Sequence, residues 1–446
     1  MSEINNPIGN LFKSEFYRSI LSLFSGMCVA RIVPALFAVV IARIYNPDDF
    51  GLFILYLTIA SVLSIITTGK YENAIILVES SHEKRQIFSV AQKINTVING
   101  SLLMVLFLGS LLIGDYERKD ILLLVLIPLY AFFFSSIQLI RNVFISKKQF
   151  NQISILETSR AVLTGGLQCL LFVWPDFGLF LGAVLAQGII YGFYSWRVAE
   201  ALYFRLTRLN ADELDLAKRY IDFPKFSVLS EVFNFISSQL PVFLIKPFFG
   251  STMLGLYSFS HRYISIPVQL LSKSISSVYL QKCQDLKDNH GELGELTLSL
   301  FKKQFLLGIL PFTILGLWGK VLFVFVFGAE WEFSGYLAQI ISPWLFAVML
   351  GSPLSAIFIV REKQRLSMVF NITLLAVRAA SLIVGGWVYN DITMAVGFYS
   401  LTGFVFFVAL TAYSLWLAGA NLKRATFYVV KTVLIIVPFI LLKLWL

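Results

Sequence analysis

Long apolar runs alternate with short polar breaks along almost the whole chain. The runs are about 20 residues long, which is the length that a helix needs to cross roughly 30 Å of hydrocarbon. This pattern predicts an all-α polytopic membrane protein with twelve transmembrane helices. The predicted helices lie at residues 19–43, 51–69, 94–114, 121–145, 153–175, 177–199, 226–248, 254–281, 303–318, 335–359, 368–389 and 392–418. A weaker run at 427–446 leaves a count of thirteen or fourteen open.

The longest polar stretch lies near the middle of the chain, at residues 201–225. Its apolar side chains recur at helical spacing between charged ones, so it predicts an amphipathic helix along the cytoplasmic membrane surface. This linker separates an N-terminal six-helix bundle, residues 1–200, from a C-terminal six-helix bundle, residues 226–418. Residues 419–446 form an additional hydrophobic segment after the second bundle.

Two short segments recur between these halves. Gly51-Leu52-Phe53 matches Gly255-Leu256-Tyr257 at an offset of 204, and Lys148-Gln149 matches Lys363-Gln364 at an offset of 215. Two halves that both begin on the same side of a membrane would be related by an axis along the membrane normal, with a transport path between them. Internal duplication is one explanation of the matches, and chance similarity of short segments is the other.

The composition places most of the protein in lipid. The chain has 446 residues, of which 57% are hydrophobic and 14% charged, and its mean hydropathy is +0.78. In soluble domains about a quarter of the residues are charged. The net charge of +10 is spread in short basic groups between apolar runs, so nucleic-acid binding is not expected.

The charges of successive loops predict the topology. If the N-terminus is cytoplasmic, the cytoplasmic loops contain basic pairs such as Lys84-Arg85 and Lys423-Arg424, whereas the opposite loops contain mainly Asp and Glu. The first run ends at Arg43 instead of a small-residue cleavage site, so no cleavable signal peptide is expected.

Sequence motifs for covalent chemistry are not found. The chain has no Walker-type glycine loop, no nucleophile elbow and no metal-ligand spacing of His, Cys and carboxylate residues. Its three cysteines are scattered. We therefore expect a transporter without a cofactor or metal, not an enzyme.

Four cations inside the predicted spans are candidate substrate-binding residues: Arg31, Arg262, Lys273 and Arg378. An ionised side chain that faces lipid is costly, so these residues are expected to face a water-filled or protein-lined interior. Arg31 and Arg378 lie about 15 Å from either membrane surface, too far for a side chain to reach water completely. A cationic cavity suits an anionic passenger, because arginine binds phosphate oxygens bidentately. Structural contacts to helix carbonyls or carboxylates are the alternative.

Several segments, in their order along the chain, resemble one transporter family. They are ARIYNPDDFG at 42–51, GKYENAII at 69–76, LGLYSFSHR at 254–262, FGAEWEFSGYLAQIISPW at 327–344 and SPLSAIFIVREKQ at 352–364. From about residue 15 to 420 the chain resembles the polysaccharide transporters of the multidrug/oligosaccharidyl-lipid/polysaccharide (MOP) superfamily and is similar to bacterial O-antigen and capsule repeat-unit flippases. The resemblance implies a MATE/MOP-like fold of two helical bundles in the bacterial inner membrane.

The resemblance also implies a function. An undecaprenyl-pyrophosphate-linked oligosaccharide would move from the cytoplasmic to the periplasmic leaflet by alternating access through a cationic central cavity, which maps most naturally onto the four cations named above. The implied partners are this lipid-linked substrate and membrane lipids, with a polysaccharide polymerase and a chain-length regulator as candidates, around a monomeric transporter.

Three carboxylates are candidates for coupling transport to a source of energy. Because no ATP site is found, transport would use an ion gradient, the membrane potential or removal of the product, with H⁺ and Na⁺ as the candidate coupling ions. Glu72, Glu157 and Glu231 are the candidate coupling residues. Glu157 is three residues before Arg160, so the two are also expected to pair along one helix face.

Two other functions are alternatives to a flippase. An ion-coupled multidrug or cation antiporter of the same superfamily would be expected to place carboxylates deep in its cavity, whereas this chain places cations there. A membrane-embedded glycosyltransferase or polymerase would be expected to have a large periplasmic loop or paired catalytic acids, and the sequence has neither.

Overall fold

The computed structural model of the protein describes residues 33–112, 118–198, 209–286 and 289–430. Regular secondary structure within these ranges is entirely helical. Nine helices in the described ranges are long and apolar enough to cross a membrane. The prediction of an all-α polytopic membrane protein is therefore confirmed.

Contacts within the chain define two units, Met1–Gln239 and Leu240–Leu446. The helices of the first unit are α1 (Val33–Ile44), α2 (Pro47–Thr67), α3 (Tyr71–Leu77), α4 (Ser81–Leu112), α5 (Arg118–Ser146), α6 (Phe150–Leu170), α7 (Pro175–Arg197), α8 (Ala211–Arg219) and α9 (Val228–Ser238). A 3₁₀ turn at Leu171–Val173 joins α6 to α7, and a π-helical turn at Phe223–Ser227 precedes α9.

Among the described residues, the second unit has fewer helices than the first, and several of them are longer. The helices of this unit are α10 (Leu240–Asp285), α11 (His290–Phe327), α12 (Glu332–Leu354), α13 (Ile357–Val360), α14 (Gln364–Ile383), α15 (Ile392–Leu417) and α16 (422–430). A 3₁₀ turn at Ala329–Trp331 precedes α12, and α14 ends in a π-helical turn at Val384–Val388. The rest of the thirteenth run, 431–446, lies outside the described residues.

The start of α2 shows how a local signal sets a helix boundary. The side chain of Asn46 accepts a hydrogen bond from Asp49 N–H at 2.9 Å, and Asp49 accepts one from Asn46 N–H at 3.2 Å. This reciprocal pair satisfies two backbone donors that a helix start leaves unpaired. Pro47 fits the first helical position because its missing N–H is not needed there.

Helix α8 lies within the described part of the predicted amphipathic linker. Two contacts fix this helix to the rest of the first unit. The hydroxyl of Tyr71 donates to the carbonyl of Ala217 at 3.0 Å. Lys93 on α4 forms a buried ion pair with Glu213 at 2.7 Å. Burial raises the pKa of Glu213, but hydrogen bonds from Lys93, Asn210 N–H and Ser89, with the charge of Lys93, outweigh this and lower it below its ordinary value.

The boundary between the units differs from the one that the linker predicts. The predicted seventh span, 226–248, is interrupted at Gln239, and its first part, α9, belongs to the first unit. Helix α9 packs against α2, and Glu231 on α9 forms an ion pair with Lys70. A second interruption follows at Gly250, whose φ of 84° ends the helix before the eighth span begins.

Candidate functional site

In the first unit, one cluster of charged side chains consists of a lysine between two carboxylates. Lys70 Nζ lies 3.2 Å from Glu72 Oε1 and 2.7 Å from Glu231 Oε1. Thr68 donates its hydroxyl proton to Glu72 Oε2 at 2.5 Å. The Glu72 side chain is 6% exposed and that of Glu231 46%, so one carboxylate is buried and the other reaches the surface. With one cation and two anions, this group has a net charge of −1 when all three are ionised.

A tight turn after α2 places Lys70 there. Gly69 and Lys70 both have left-handed backbones, with φ of 59° and 58°. This conformation is costly for a residue with a side chain, so it points to a specific need at Lys70. The turn leads into α3, where the carbonyl of Glu72 accepts a hydrogen bond from Asn142 at 2.9 Å.

The third candidate carboxylate, Glu157, lies in a different ion pair. Its oxygens are 3.5 Å from Arg160 Nη1 on the same helix and 3.4 Å from Arg141 Nε on α5. The predicted pair with Arg160 is therefore present, and Arg141 is a second partner that the sequence did not indicate. Arg160 also lies over the ring of Phe134, 5.2 Å from its centre.

In the second unit, α10 contains a polar stripe that includes two of the candidate cations. Arg262 and Lys273 are eleven residues apart, which is close to three full helical turns, and so they share one face with about 16 Å of rise between them. Gln269 lies between them on that face and donates to the hydroxyl of Ser265 at 3.5 Å. Arg262 is half-buried and Lys273 is exposed.

Lys273 lines a cavity of about 370 Å³ between α10 and α12. Its other lining residues include four serines and a glutamine: Gln269, Ser272, Ser276, Ser277 and Ser352. Ser272 is 7% exposed, and within the described residues its hydroxyl oxygen has no hydrogen-bond partner. A buried hydroxyl without a partner is unfavourable, so this cavity offers an unused donor and acceptor to a polar ligand.

Arg378 on α14 lies among aromatic rings. Its guanidinium carbon is 4.4 Å from the ring centre of Trp344 and 4.8 Å from that of Tyr399, at distances typical of cation–π contacts. The ring of His261 stacks on that of Trp344, with 5.5 Å between the two ring centres. Arg378 Nε and Nη2 are buried and have no hydrogen-bond acceptor among the described residues.

The aromatic contacts stabilise the cation but leave its donors unused. Rings attract a guanidinium through their faces, whereas its N–H groups point outward in the guanidinium plane. No described carboxylate accepts from these buried donors of Arg378. The fourth candidate cation, Arg31, lies outside the described residues.

Residues 40–334 match a protein family described as polysaccharide biosynthesis protein. The chain belongs to that family. Among curated relatives it is 23% identical over 318 residues to the teichuronic acid biosynthesis protein TuaB of Bacillus subtilis (strain 168), covering 67% of this chain and 64% of that one. It is 26% identical over 306 residues to the succinoglycan biosynthesis transport protein ExoT of Rhizobium meliloti (strain 1021), covering 66% and 59%. It thus spans about three fifths of these relatives' length.

Solved structures show which fold this polysaccharide biosynthesis protein has. The lipid II flippase MurJ in an inward closed conformation superposes with a TM-score of 0.71 at 12% identity, covering 94% of this chain and 92% of that one. An inward-facing MATE family transporter of the MOP superfamily gives 0.54 at 14% identity, covering 89% and 95%. At these identities the likeness establishes the fold, and the expected MATE/MOP-like architecture is confirmed.

Neither Lys70 nor the aromatic rings around Arg378 were identified from the sequence as parts of the candidate site. Lys70 is part of the segment GKYENAII that marks the resemblance, but neither hydropathy nor spacing indicated that it joins Glu72 to Glu231. A lysine after glycine at the end of an apolar run was the available signal. The rings around Arg378 lie on α12 and α15, so only the tertiary structure brings them together.

Proposed function

We propose that this protein is a flippase for an undecaprenyl-pyrophosphate-linked oligosaccharide, such as an O-antigen or capsule repeat unit. It moves the head group from the cytoplasmic to the periplasmic leaflet of the bacterial inner membrane, with its N-terminus in the cytoplasm. The polyprenyl tail stays in lipid, so only the charged and hydroxyl-rich head group needs a polar path. The passenger is moved by alternating access and is chemically unchanged.

The observation that carries this proposal is the chemistry of the second unit. Lys273 and Arg378 are cations inside membrane-spanning helices, and neither has an ion-pair partner among the described residues. Such charges are rarely placed in a membrane without a functional partner. The serine-rich cavity beside Lys273 matches sugar hydroxyls, and the unpaired guanidinium donors of Arg378 match a pyrophosphate that displaces the packing around them. Both ligand types occur together in a lipid-linked sugar.

The proposal is tested by complementation of a strain that lacks the gene. Lys273→Gln and Arg378→Gln, expressed at the wild-type level, should restore less surface polysaccharide, with lipid-linked repeat units accumulating on the cytoplasmic side. Lys320→Gln is the control, because this exposed lysine lies 3.8 Å from Glu332 and outside the proposed site. Full restoration by the double variant Lys273→Gln/Arg378→Gln contradicts the proposal. Export of a cationic dye by the wild type would favour the antiporter instead.

The same proposal includes ion coupling at Lys70, Glu72 and Glu231. A lysine shared by two carboxylates can exchange partners when one carboxylate takes up H⁺ or Na⁺, which changes what holds α9 to the turn after α2. Glu231→Gln should make transport in proteoliposomes independent of an imposed H⁺ or Na⁺ gradient. Glu157→Gln is the matched comparison, because that carboxylate pairs with two arginines elsewhere. Equal gradient dependence in wild type and Glu231→Gln would exclude this site.

A further inference from the structure

A second cavity of the second unit lies between α10 and α11, away from the serine-rich cavity. Its volume is about 340 Å³, and two lysines, Lys282 and Lys303, lie on its wall. Both side chains are exposed, and neither forms an ion pair within residues 209–286 and 289–430. Ser274 and Ser299 line the same cavity, one on each helix. The cavity therefore has two ammonium groups and two hydroxyls directed at one space.

The two lysines lie where the apolar parts of their helices end. Lys282 directly follows the predicted span 254–281, and Lys303 is the first residue of the predicted span 303–318. The loop between the two helices is short, since α10 ends at Asp285 and α11 begins at His290. Lys303 is thus expected at the level of the lipid head groups, and Lys282 lies farther out toward the loop, with both side chains lining the same cavity.

An exposed apolar stripe leads from each lysine into the membrane-spanning part of its helix. On α11, residues four, seven and eleven positions after Lys303 share its face, and they are Leu307, Leu310 and Ile314, exposed to 56%, 54% and 38%. On α10, Val278 lies one turn before Lys282 and is 57% exposed. A cationic end followed by apolar walls has the polarity of a phospholipid, with its phosphate at the surface and its acyl chains in hydrocarbon.

The floor of this cavity is rigid. Tyr279 is 3% exposed, and its hydroxyl is 2.8 Å from that of Thr297, which joins α10 to α11 at a level between those of the two lysines. Cys283 and Leu293 are fully buried in the same hydrophobic cluster. The base of the cavity is therefore part of the packed helix pair.

We propose that this cavity, formed by Lys282, Lys303, Ser274, Ser299 and the adjoining apolar stripes, binds the head group of an acidic membrane phospholipid. The two ammonium groups neutralise the phosphate, and the hydroxyl of Ser299 donates to its oxygens, whereas Ser274 donates its proton to the carbonyl of Leu270 at 2.8 Å. Basic cavities between transmembrane helices at the membrane surface suit such head groups. This site is separate from the proposed flippase site, because none of its residues belongs to the cavity of Lys273.

The test measures lipid binding to the full chain in detergent by native mass spectrometry. Dioleoyl phosphatidylglycerol should bind at least tenfold more tightly than dioleoyl phosphatidylcholine. Lys282→Gln and Lys303→Gln should each weaken binding of phosphatidylglycerol about fivefold, because one lysine near an anionic membrane contributes a factor of about that size. Lys282→Arg and Lys303→Arg should retain it.

The matched control is Lys302→Gln. Lys302 is the neighbour of Lys303 and has the same charge, but it lies over the ring of Tyr428, 5.6 Å from its centre, and does not line the cavity. Binding in this variant should stay within about twofold of wild type. Equal weakening by Lys302→Gln, or equal binding of phosphatidylcholine, would overturn the proposal.

Two competitors separate a membrane phospholipid from other sources of phosphate. Glycerol 1-phosphate at millimolar concentration should leave bound phosphatidylglycerol in place, since it lacks acyl chains. Undecaprenyl phosphate at equal concentration should not displace it either. Displacement by the first would assign the cavity to a free phosphate, and displacement by the second would assign it to the transported lipid. Either result overturns the proposal and leaves the flippase proposal intact.

Discussion

Lys70 Nζ lies 2.7 Å from Glu231 Oε1, although the two residues are 161 positions apart. The same ammonium lies 3.2 Å from Glu72, whose side chain is 6% exposed. Lys70 is thus the ion-pair partner both of a buried carboxylate and of Glu231 on α9. Removal of one partner of a buried ion pair is costly because the other charge stays behind in a poorly solvated place.

The first prediction concerns Lys70→Ala. It should lower the free energy of unfolding by about 3 kcal/mol, measured as a lower melting temperature in detergent. Lys70→Gly should be about 1 kcal/mol more stable than Lys70→Ala, because glycine adopts the observed φ of 58° without strain. Equal stability of the two variants would show that the left-handed backbone at this position stores no strain.

Gly403 on α15 tests the position of Arg378. A Cβ atom at this glycine would overlap Arg378 Nη2 and the ring of Trp344. Gly403→Ala should therefore displace the guanidinium and reduce translocation at least about tenfold, measured with a fluorescent lipid-linked oligosaccharide in proteoliposomes. Gly397→Ala on the same helix is the control, since a Cβ there meets nothing within 4 Å. Comparable activity of both variants would count against a role for Arg378.

Two serines of α10 are expected to have different roles, Ser260 in the stability of the fold and Ser272 in the binding of the substrate. Ser260 donates its hydroxyl proton to the carbonyl of Ser334 at 2.6 Å, whereas the buried hydroxyl of Ser272 has no partner among the described residues. Ser260→Ala should cost about 1 kcal/mol of stability, while Ser272→Ala should cost none. Ser272→Ala should nevertheless reduce translocation. A lower melting temperature with unchanged transport would show that this hydroxyl serves folding instead.

The pair of Lys93 and Glu213 predicts a dependence on pH. The lowered pKa of Glu213 means that the folded state binds this proton less tightly than the unfolded state does. Its contribution is present above the ordinary carboxyl pKa and is lost as the pH falls through the lowered value. The wild-type melting temperature should therefore fall over this acidic range, and Glu213→Gln should flatten this part of the profile. If Glu213→Gln leaves the dependence of the melting temperature on pH unchanged, the pair of Lys93 and Glu213 does not cause it.

Local features of the sequence predicted the structure best. The contact of Glu157 with Arg160 needs residues only three positions apart, and helical geometry alone brings them together. Apolar runs of membrane length likewise predicted the helices, since no other arrangement satisfies the backbone in hydrocarbon.

Features that depend on tertiary contacts were not predictable. The pair of Lys70 and Glu231 and the rings around Arg378 join elements that are distant in sequence, and hydropathy has no information on such neighbours. The boundary between the two units at Gln239 likewise depends on tertiary contacts, because α9 packs against α2 and Glu231 pairs with Lys70. Depth and charge made Arg378 a candidate, and its ring contacts became visible only in the structure.

The polar stripe of α10 has a consequence for selectivity. Because its cations, hydroxyls and amide succeed one another along several helical turns, a sugar chain lying against it, as the proposed function requires, would meet polar groups at each step. Such a surface would discriminate weakly between individual monosaccharides and would tolerate repeat units of different composition. Recognition would then depend mainly on the phosphate anchor that every lipid-linked glycan has in common, and related transporters could exchange cargo without change to this helix.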